Sequence, residues 1–402
     1  MIYFSQEGDI MLAVKNGKII TVTNGTIECG TILIENGKIA AVGADIAIPE
    51  GAEIIDAQGK WVTPGFVDSH AHTCIGSLPH AKDENSDVNE SVNANTSYVR
   101  VLDALNPRDL GLKIGRRGGI TTSLTLPGSA NICGGTGIAF KHKDGNTVYD
   151  IIIPGTEQMK FALGENPKGF DRGRKFMPRT RMGVGGRFRE ILYDAKQYSD
   201  ALLAWENGTS KTKPKPDFKL NALVPVMRRE MKCRIHAHRS DDIVTAVRVA
   251  EEFNLDYAIE HVTEGYMILD FLKEKDVFCT LGPLFSSPSK SELHGQIPEN
   301  AGIFAKAGIK KLCLTMDNSA SSDMLPLNVG RAIAYGLDEK TAFEAITINP
   351  ATLIGLQDRI GSIEVGKDAD LAIFTGHPFS SLSRCEATVI DGVVYPNPIR
   401  QI

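Results

Sequence analysis

The 402-residue sequence has no paired cysteine motif and no long apolar run. Its seven cysteines are an odd number, are spread between Cys29 and Cys385, and form no CxxC pair, so a disulfide framework is not expected. Near the N-terminus, Glu7, Asp9 and Lys15 interrupt the apolar residues, which is unlike a signal peptide or a membrane-spanning helix. We therefore expect a cytoplasmic protein.

Long basic tracts are also absent. The formal net charge is -5, and the nearest basic segment, residues 211–216, is short and contains prolines. This pattern argues against binding to nucleic acid or to a membrane surface. The hydrophobic fraction of 42% is ordinary for a globular protein, and the length suits one barrel of about 250 residues with an accessory module. The expected partner is a small-molecule substrate, and the sequence is compatible with a homo-oligomer.

What the sequence does contain is a strand that ends in two metal-ligating side chains. Residues 62–72 (VTPGFVDSHAH) include a short apolar strand that ends at His70 and His72. In an extended segment, residues i and i+2 point to the same side, so the two imidazoles can bind one metal ion. Alone, this HxH pair is a weak signal, because two polar loop residues would give the same pattern.

Three later segments repeat the arrangement, in that an apolar strand ends in a histidine or an aspartate. The side chains at these ends are His236, with His238 two residues later, then His261 and Asp317. Amphipathic stretches after the first two strands predict helices. Alternating strands and helices predict a parallel barrel, which carries its catalytic groups at the C-terminal ends of the strands. These side chains and the first histidine pair are therefore predicted to meet in one site.

Both ends of the chain are rich in short strand patterns. Two runs near the N-terminus contain an Asn-Gly pair, at Asn16-Gly17 and Asn36-Gly37, which is a hairpin signal. Similar runs occupy residues 368–374 and 387–395. Isolated short strands are at best marginally stable, so we expect the two ends to pair into one small module.

The segment between residues 128 and 217 is less regular. Residues 128–137 are rich in glycine and predict a loop, either mobile or close to the substrate, without the GK[ST] ending of a phosphate-binding loop. The polar residues 204–217 predict a second loop. After Pro167, six arginines crowd the chain, and one of them is a candidate for clamping a substrate carboxylate. They are Arg172, Arg174, Arg179, Arg181, Arg187 and Arg189.

Together, these motifs resemble the metal-dependent amidohydrolase superfamily, in the branch of imidazolonepropionase and the metal-dependent dipeptidases. The resemblance is carried by residues 64–72 (PGFVDSHAH), 235–238 (IHAH), 259–261 (IEH), 315–317 (TMD) and 360–373 (IGSIEVGKDADLAI). It implies an α/β fold, in which residues 61–357 form a (β/α)8 TIM barrel. Residues 1–60 and 358–402 would form a small β-sandwich.

The resemblance also implies roles for individual residues. Two-metal members hold their ions together with a carbamylated lysine or a glutamate at a middle strand, and residues 158–168 contain both Lys160 and Glu165. We favour Glu165, because it needs no modification to bind a cation, whereas Lys160 lies in an apolar strand. Asp317 resembles the general base that takes a proton from metal-activated water and returns it to the leaving nitrogen. His238 could polarise the carbonyl, contact the substrate, or support the site from outside it.

The resulting hypothesis is a metal-dependent hydrolase of an amide or cyclic amide bond in a small polar substrate. It would use one or two divalent ions, with zinc favoured and iron or manganese as alternatives. The alternative reaction is deamination of a nitrogen heterocycle. The alternative of another class is a catalytically silent barrel that acts as a scaffold, which would have no need for polar ligands at the end of each of these strands.

Overall fold

In a computed structural model, the chain forms two eight-stranded sheets with helices between the strands. The structure describes residues 11–76, 86–169, 178–286, 289–318 and 321–399. The strands are β1 Met11–Ile20, β2 Thr26–Glu35, β3 Lys38–Gly43, β4 Glu53–Asp56, β5 Trp61–Pro64, β6 Phe66–Ala71, β7 Ile120–Thr125, β8 Cys133–Lys141, β9 Gln158–Ala162, β10 Cys233–Ala237, β11 Tyr257–His261, β12 Phe278–Leu281, β13 Leu312–Leu314, β14 Leu371–Phe374, β15 Cys385–Ile390 and β16 Val393–Pro396. The helices are α1 Leu110–Arg117, α2 Glu165–Gly169, α3 Arg181–Glu206, α4 Phe218–Met227, α5 Ser240–Glu252, α6 Leu269–Lys275, α7 Asn300–Lys306, α8 Leu325–Ala334, α9 Glu339–Glu344 and α10 Ile348–Leu353.

The central sheet is a barrel in which the strands follow one another from β6 to β13. Neighbouring strands from β9 to β13 are parallel, as are β6 and β7. Strands such as β10 are buried along their whole length, because the barrel interior covers one face and helices cover the other. The predicted α/β barrel is confirmed. Within the described ranges, no helix combines the length and apolar character that crossing a bilayer requires, and the cytoplasmic location stays a prediction.

One barrel strand departs from the expected parallel order. β8 runs antiparallel to both β7 and β9. It is joined to β7 by residues 126–132, a connection too short for a crossover helix, and short connections join antiparallel strands. The prediction of a loop at residues 128–137 is therefore wrong from Cys133 onward. Gly135 explains part of the glycine content, since a Cβ atom there would lie 2.2 Å from the carbonyl oxygen of Val99.

Between β13 and β6 the barrel is completed by bonds outside the regular ladder. The Thr315 hydroxyl lies 2.6 Å from the carbonyl oxygen of His70 and 2.7 Å from the Asp68 carboxylate. Ala345 accepts a bond from the Leu314 backbone amide, and its neighbour Ile346 accepts one from Val67. The first and last barrel strands are thereby held together at the same end at which their predicted ligands lie.

The second sheet is built from both ends of the chain, as predicted. Its order is β16-β15-β14-β5-β1-β2-β3, and β4 pairs with β1. The central contact between the two ends is the antiparallel pairing of β14 with β5, which lies just after the predicted boundary at residue 60. Buried residues from both ends, including Leu12, Ile32 and Leu371, form one apolar cluster. We call this unit the end sheet.

The two Asn-Gly pairs of the end sheet have different structures. Asn36-Gly37 is the two-residue turn between β2 and β3, and both residues have positive φ, at 51° and 74°. Asn16-Gly17 lies inside the continuous strand β1, where the pairing with β2 shifts register. The hairpin predicted at Asn16 is wrong. Asn16 has a positive φ of 56° because it lies in a β-bulge, and asparagine and glycine are common in bulges as well as in hairpin turns.

The loop predicted at residues 204–217 begins only after Glu206, later than expected. α3 continues to Glu206, and α4 begins after Asp217, whose side chain accepts a bond from the backbone amide of Leu220. The polar, proline-containing stretch between these helices is thus an exposed connection.

Candidate metal centre

The predicted ligands lie at one end of the barrel. His70 is close to the end of β6, His236 is the penultimate residue of β10, and His261 ends β11. Asp317 follows β13 by three residues. Because neighbouring strands are parallel, their C-terminal ends meet at the same rim, and the scattered ligands become neighbours.

Two histidines are held by backbone carbonyl groups. His72 Nδ1 lies 2.8 Å from the carbonyl oxygen of Leu126, and His261 Nδ1 lies 2.8 Å from that of Gly282. A carbonyl oxygen only accepts, so Nδ1 carries the proton in both rings. Nε2 is then unprotonated, and it is the atom available to a metal ion.

His70 is oriented by a buried acid that sequence reasoning missed. Its Nδ1 lies 2.6 Å from Glu260 Oε2, and Glu260 Oε1 accepts a bond of 2.5 Å from Arg234 Nε. All three side chains are fully buried. The available signal was the spacing, since Arg234 precedes His236 by two residues and shares its side of β10. Arg234 and His70 hold the pKa of the Glu260 carboxyl well below its usual value, although burial alone would raise it.

Lys160 belongs to this cluster, whereas Glu165 does not. Lys160 is 1% exposed, and its Nζ lies 2.9 Å from His70 Nε2. Burial lowers the pKa of the Lys160 amine to about 8. Glu165 is the first residue of α2. Its carboxylate accepts a bond of 2.9 Å from the backbone amide of Glu292. Of the two predicted bridging residues, the structure places only Lys160 against the predicted metal ligands.

Asp317 lies between the first-strand histidines. Its Oδ1 is 3.3 Å from His72 Nε2 and 3.6 Å from His70 Nε2. Burial alone would raise the pKa of Asp317, but His261, His72 and His70 together hold it well below its ordinary value. Both Asp317 and His261 have positive φ, at 50° and 72°, which is an uncommon conformation for residues other than glycine. Such backbone strain is concentrated at functional sites.

Two groups of side chains, all buried except the partly exposed Asp317, have the chemistry of a cation site. One comprises His236, His238 and His261, the other His70, His261 and Asp317, and within each group the ligand atoms lie within 4.8 Å of one another. Among the residues that the structure describes, neither ring nitrogen of His236 has a hydrogen-bond partner, and neither does Asp317 Oδ1, although all three atoms are buried. Buried polar atoms are rarely left unpaired, so these atoms fit a bound divalent cation.

Burial favours the neutral form of four histidines, namely His70, His236, His238 and His261, and metal binding requires that form. Burial, followed by the charge of Lys160, lowers the pKa of His70 to about 3. Burial also lowers the pKa of His261, and it holds those of His236 and His238 well below the ordinary value. All four imidazoles are therefore neutral at pH 7, with lone pairs available for coordination.

The arginine-rich segment is only partly described. Arg172 and Arg174 lie outside the described residues. Arg181 pairs with Asp242 at 2.8 Å, Arg187 with Glu190 at 2.5 Å, and Arg189 with Glu252 at 2.7 Å. Three of the six arginines thus have a structural role as ion-pair partners of acidic residues. A clamp for a substrate carboxylate stays a prediction.

Comparison with known proteins agrees with this geometry. A model of the amidohydrolase family matches residues 216–395. The solved structure of an amidohydrolase from Thermotoga maritima MSB8 is 37% identical, covers 96% of this chain and is itself covered completely, with a TM-score of 0.90. The chain belongs to the amidohydrolase family.

Curated relatives of this amidohydrolase have several activities. Amidohydrolase tasK of Hapsidospora irregularis is 27% identical over 92% of this chain, which spans only 40% of tasK. An imidazolonepropionase of Geobacillus sp. (strain WCH70) is 27% identical, with 87% of this chain and 84% of the relative covered. An adenine deaminase of Listeria monocytogenes serovar 1/2a is 34% identical over 90% of this chain and 54% of its own length. The chain thus spans about half or less of two of these relatives. Enzymes acting on C–N bonds are its relatives, and the predicted superfamily is confirmed.

Proposed function

We propose that this amidohydrolase is a metal-dependent hydrolase of an amide or cyclic amide bond in a small polar substrate. The observation that carries the proposal is the convergence of neutral histidines, one aspartate and one buried lysine at the C-terminal rim of the barrel. Their nitrogen and oxygen donors suit zinc, with iron or manganese as alternatives. When bound, such a cation supplies hydroxide near neutral pH by lowering the pKa of water.

We assign the ligands to two sides of the site. His70, His72 and Asp317 would hold one cation, since Asp317 Oδ1 lies within 3.6 Å of both Nε2 atoms. His236 and His261 would hold the other. Glu260, Leu126 and Gly282 keep the ligand rings in place through their Nδ1 atoms.

Lys160 rather than Glu165 would connect the two sides. An amine with a pKa of about 8 is partly neutral at pH 7 to 8, and a neutral amine adds carbon dioxide to give a carbamate and a proton. The carbamate would carry one negative charge shared by two oxygens, close to where Nζ now meets His70. This assignment predicts that Glu165→Gln retains its metal. It also predicts that Lys160→Gln loses the second equivalent, and that protein prepared without bicarbonate recovers activity when bicarbonate is added. Metal loss in Glu165→Gln alone would restore Glu165 as the bridging residue.

Asp317 is assigned as the proton carrier. Its histidine neighbours keep the carboxylate ionised, and a carboxylate oxygen at this position can take the proton of the attacking water. The same group would then return the proton to the leaving nitrogen, so that the amine departs as a neutral product.

The test is metal analysis followed by a substrate screen. We expect purified protein to contain one or two equivalents of zinc, iron or manganese, and His70→Ala to lower that content because the HxH pair is then incomplete. Metal-replete protein should hydrolyse a member of a panel of N-acyl amino acids, dipeptides and cyclic ureides. Protein without metal, or with metal that His70→Ala leaves unchanged, would contradict the proposal and favour the scaffold alternative.

Deamination is the competing reaction, since an adenine deaminase is among the relatives. Ammonia release distinguishes the two reactions. Adenine and related heterocycles therefore belong in the same screen, with ammonia and ring opening measured in parallel.

A further inference from the structure

A buried carboxylate that the assignments above do not use faces the second histidine group. Glu292 lies in a 3₁₀ turn, Ser291–Leu293, within the loop that follows β12. Its side chain is 0% exposed, and its Oε1 atom accepts no bond of regular hydrogen-bond geometry among the described residues, although the Lys290 Nζ atom lies 2.8 Å away. A buried carboxylate oxygen needs a partner, and the two candidates are this ammonium group and a bound cation.

The distances around this oxygen are those between ligands of one cation. Glu292 Oε1 lies 3.6 Å from His236 Nε2 and 3.8 Å from His238 Nε2. Ligand bonds to zinc are about 2.0–2.2 Å, so two ligands at a tetrahedral angle lie roughly 3.3–3.5 Å apart. Small movements of the side chains would bring all three atoms into one coordination shell.

The loop structure aims the oxygen at the histidines. The other oxygen, Oε2, accepts a bond of 2.8 Å from the backbone amide of Glu165. In return, Glu165 accepts a bond from the backbone amide of Glu292. A Cβ atom on Gly164, which has a φ of 86°, would lie 2.6 Å from Oε2. The absence of a side chain at Gly164 thus allows the carboxylate to approach, and Oε1 is left facing the site.

His238 is oriented in a similar way to His72 and His261, whose Nδ1 atoms also have a hydrogen-bond partner. Its Nδ1 lies 2.8 Å from the Thr263 hydroxyl, which leaves Nε2 to face the site. The ring stacks on His261 with centroids 4.5 Å apart and an interplanar angle of 18°. With His236 it completes a group of three buried imidazoles.

We propose that Glu292 and His238 bind the second divalent cation directly, together with His236 and His261. The inference rests on the proposed metal dependence and adds two ligands to the second side of the site. It gives His238 a role as a ligand, in place of polarising the substrate carbonyl. The cation would be one that accepts mixed imidazole and carboxylate ligands, as zinc does.

A competing explanation involves Lys290. Its Nζ lies 2.8 Å from Glu292 Oε1 and 3.0 Å from Asn166 Oδ1. If Glu292 served only to neutralise Lys290, then removing either charge would have the same limited effect on metal binding. Lys290→Met is therefore the matched control, since it removes the ion pair and keeps the carboxylate.

The experiment measures zinc binding to metal-free protein by calorimetry and records visible spectra of the cobalt-substituted protein. In Glu292→Gln the weaker zinc equivalent should lose at least roughly tenfold in affinity, because even supporting residues contribute 10–100-fold. The cobalt spectrum should change, and Lys290→Met should retain both properties. Thermal unfolding in chelator verifies that each variant is folded. If Glu292→Gln does not fold, His238→Gln removes another proposed ligand of the same cation and should show the same loss.

Two outcomes overturn the inference. An unchanged zinc affinity and an unchanged cobalt spectrum in Glu292→Gln would exclude Glu292 from the coordination shell. Equal losses in Glu292→Gln and Lys290→Met would make it an ion-pair partner. Failure of the proposed function is distinguishable, because in that case the wild-type protein itself would bind no zinc with useful affinity.

Discussion

Two buried lysines of this amidohydrolase have opposite surroundings. Lys141, on β8, is 2% exposed and contacts three carboxylates, those of Asp368, Asp370 and Asp391. These residues follow the barrel in the sequence and line the end sheet, so the cluster joins the two sheets. Burial alone would lower the pKa of Lys141, but Asp370 and Asp391 outweigh it, and the pKa is raised. This lysine is a permanent cation.

Lys160, on β9, is equally buried at 1% exposure. Its Nζ lies 2.9 Å from His70 Nε2, and burial lowers its pKa to about 8, although the charges of Asp317 and Glu260 oppose this shift. The comparison teaches that burial does not by itself decide what a lysine does. A buried lysine that contacts several carboxylates keeps its charge, whereas burial lowers the pKa of one whose amine contacts a histidine.

The largest expected effect is that of Lys160→Met. Turnover should fall to the background rate, because the side chain can neither form a carbamate nor contact a cation. The unfolding free energy of the chelator-treated protein should not fall, since an apolar side chain replaces an amine that is costly to bury. Turnover, metal content and urea unfolding test this. A variant with full activity would show that both buried lysines are structural.

Asp317→Asn should lower turnover by about 10²–10⁴-fold, the usual contribution of a positioned acid or base. Asparagine keeps the shape and a possible metal contact but cannot accept the proton. Metal content, measured beside turnover, should change little. Loss of metal would mean that Asp317 is chiefly a ligand, and full activity with full metal content would refute its role in proton transfer.

Lys141→Met should destabilise the protein without affecting the chemistry. Removing one partner of a buried ion cluster costs roughly 3–5 kcal/mol, and we expect about 3 kcal/mol here. The lower value follows because Lys38 and Arg359 still bond Asp368. Urea unfolding measures the loss, and turnover per folded molecule should equal that of the wild type. A fall in turnover without a loss of stability would mean that the junction acts on the active site.

The smallest effect concerns acid stability of the metal-free protein. Burial lowers the pKa of His70 in the folded protein to about 3, far below the ordinary value of 6.5. As the pH drops below about 6.5, the unfolded state therefore binds a proton that the folded state does not, and the free energy of unfolding falls. Between pH 6.5 and 5.5 this contribution is roughly 1 kcal/mol. Asp368, with a folded pKa of about 2, loses its contribution only in stronger acid.

Urea unfolding at the two pH values compares wild type with His70→Gln, which gains no proton. The difference between them should shrink by about 1 kcal/mol over this window. Equal pH dependence in both proteins would show that His70 is already protonated or solvated in the folded state.

The barrel and most of its rim could be predicted from local patterns. Each predicted ligand follows an apolar strand, and parallel strands bring their ends together whatever their separation in the chain. The pairing of the chain ends was also predictable, because short strands such as β14 cannot bury their apolar side chains unless they pair with other strands. The antiparallel β8 was not predictable from composition, since glycines occur both in loops and in strands that pass close to another backbone.

Sequence alone determined which residue types stand at the strand ends, and therefore that the rim can bind a cation. Tertiary structure placed Lys160 beside His70 and turned the Glu165 carboxylate to the backbone amide of Glu292, a difference that the sequence of residues 158–168 does not specify. It also brought Glu260 under His70, and it brought Glu292 against His236 from a loop with no local metal motif. The physical reason is that coordination depends on angstrom-scale positions, which long-range packing sets, whereas a local pattern specifies only which side of a strand a residue occupies.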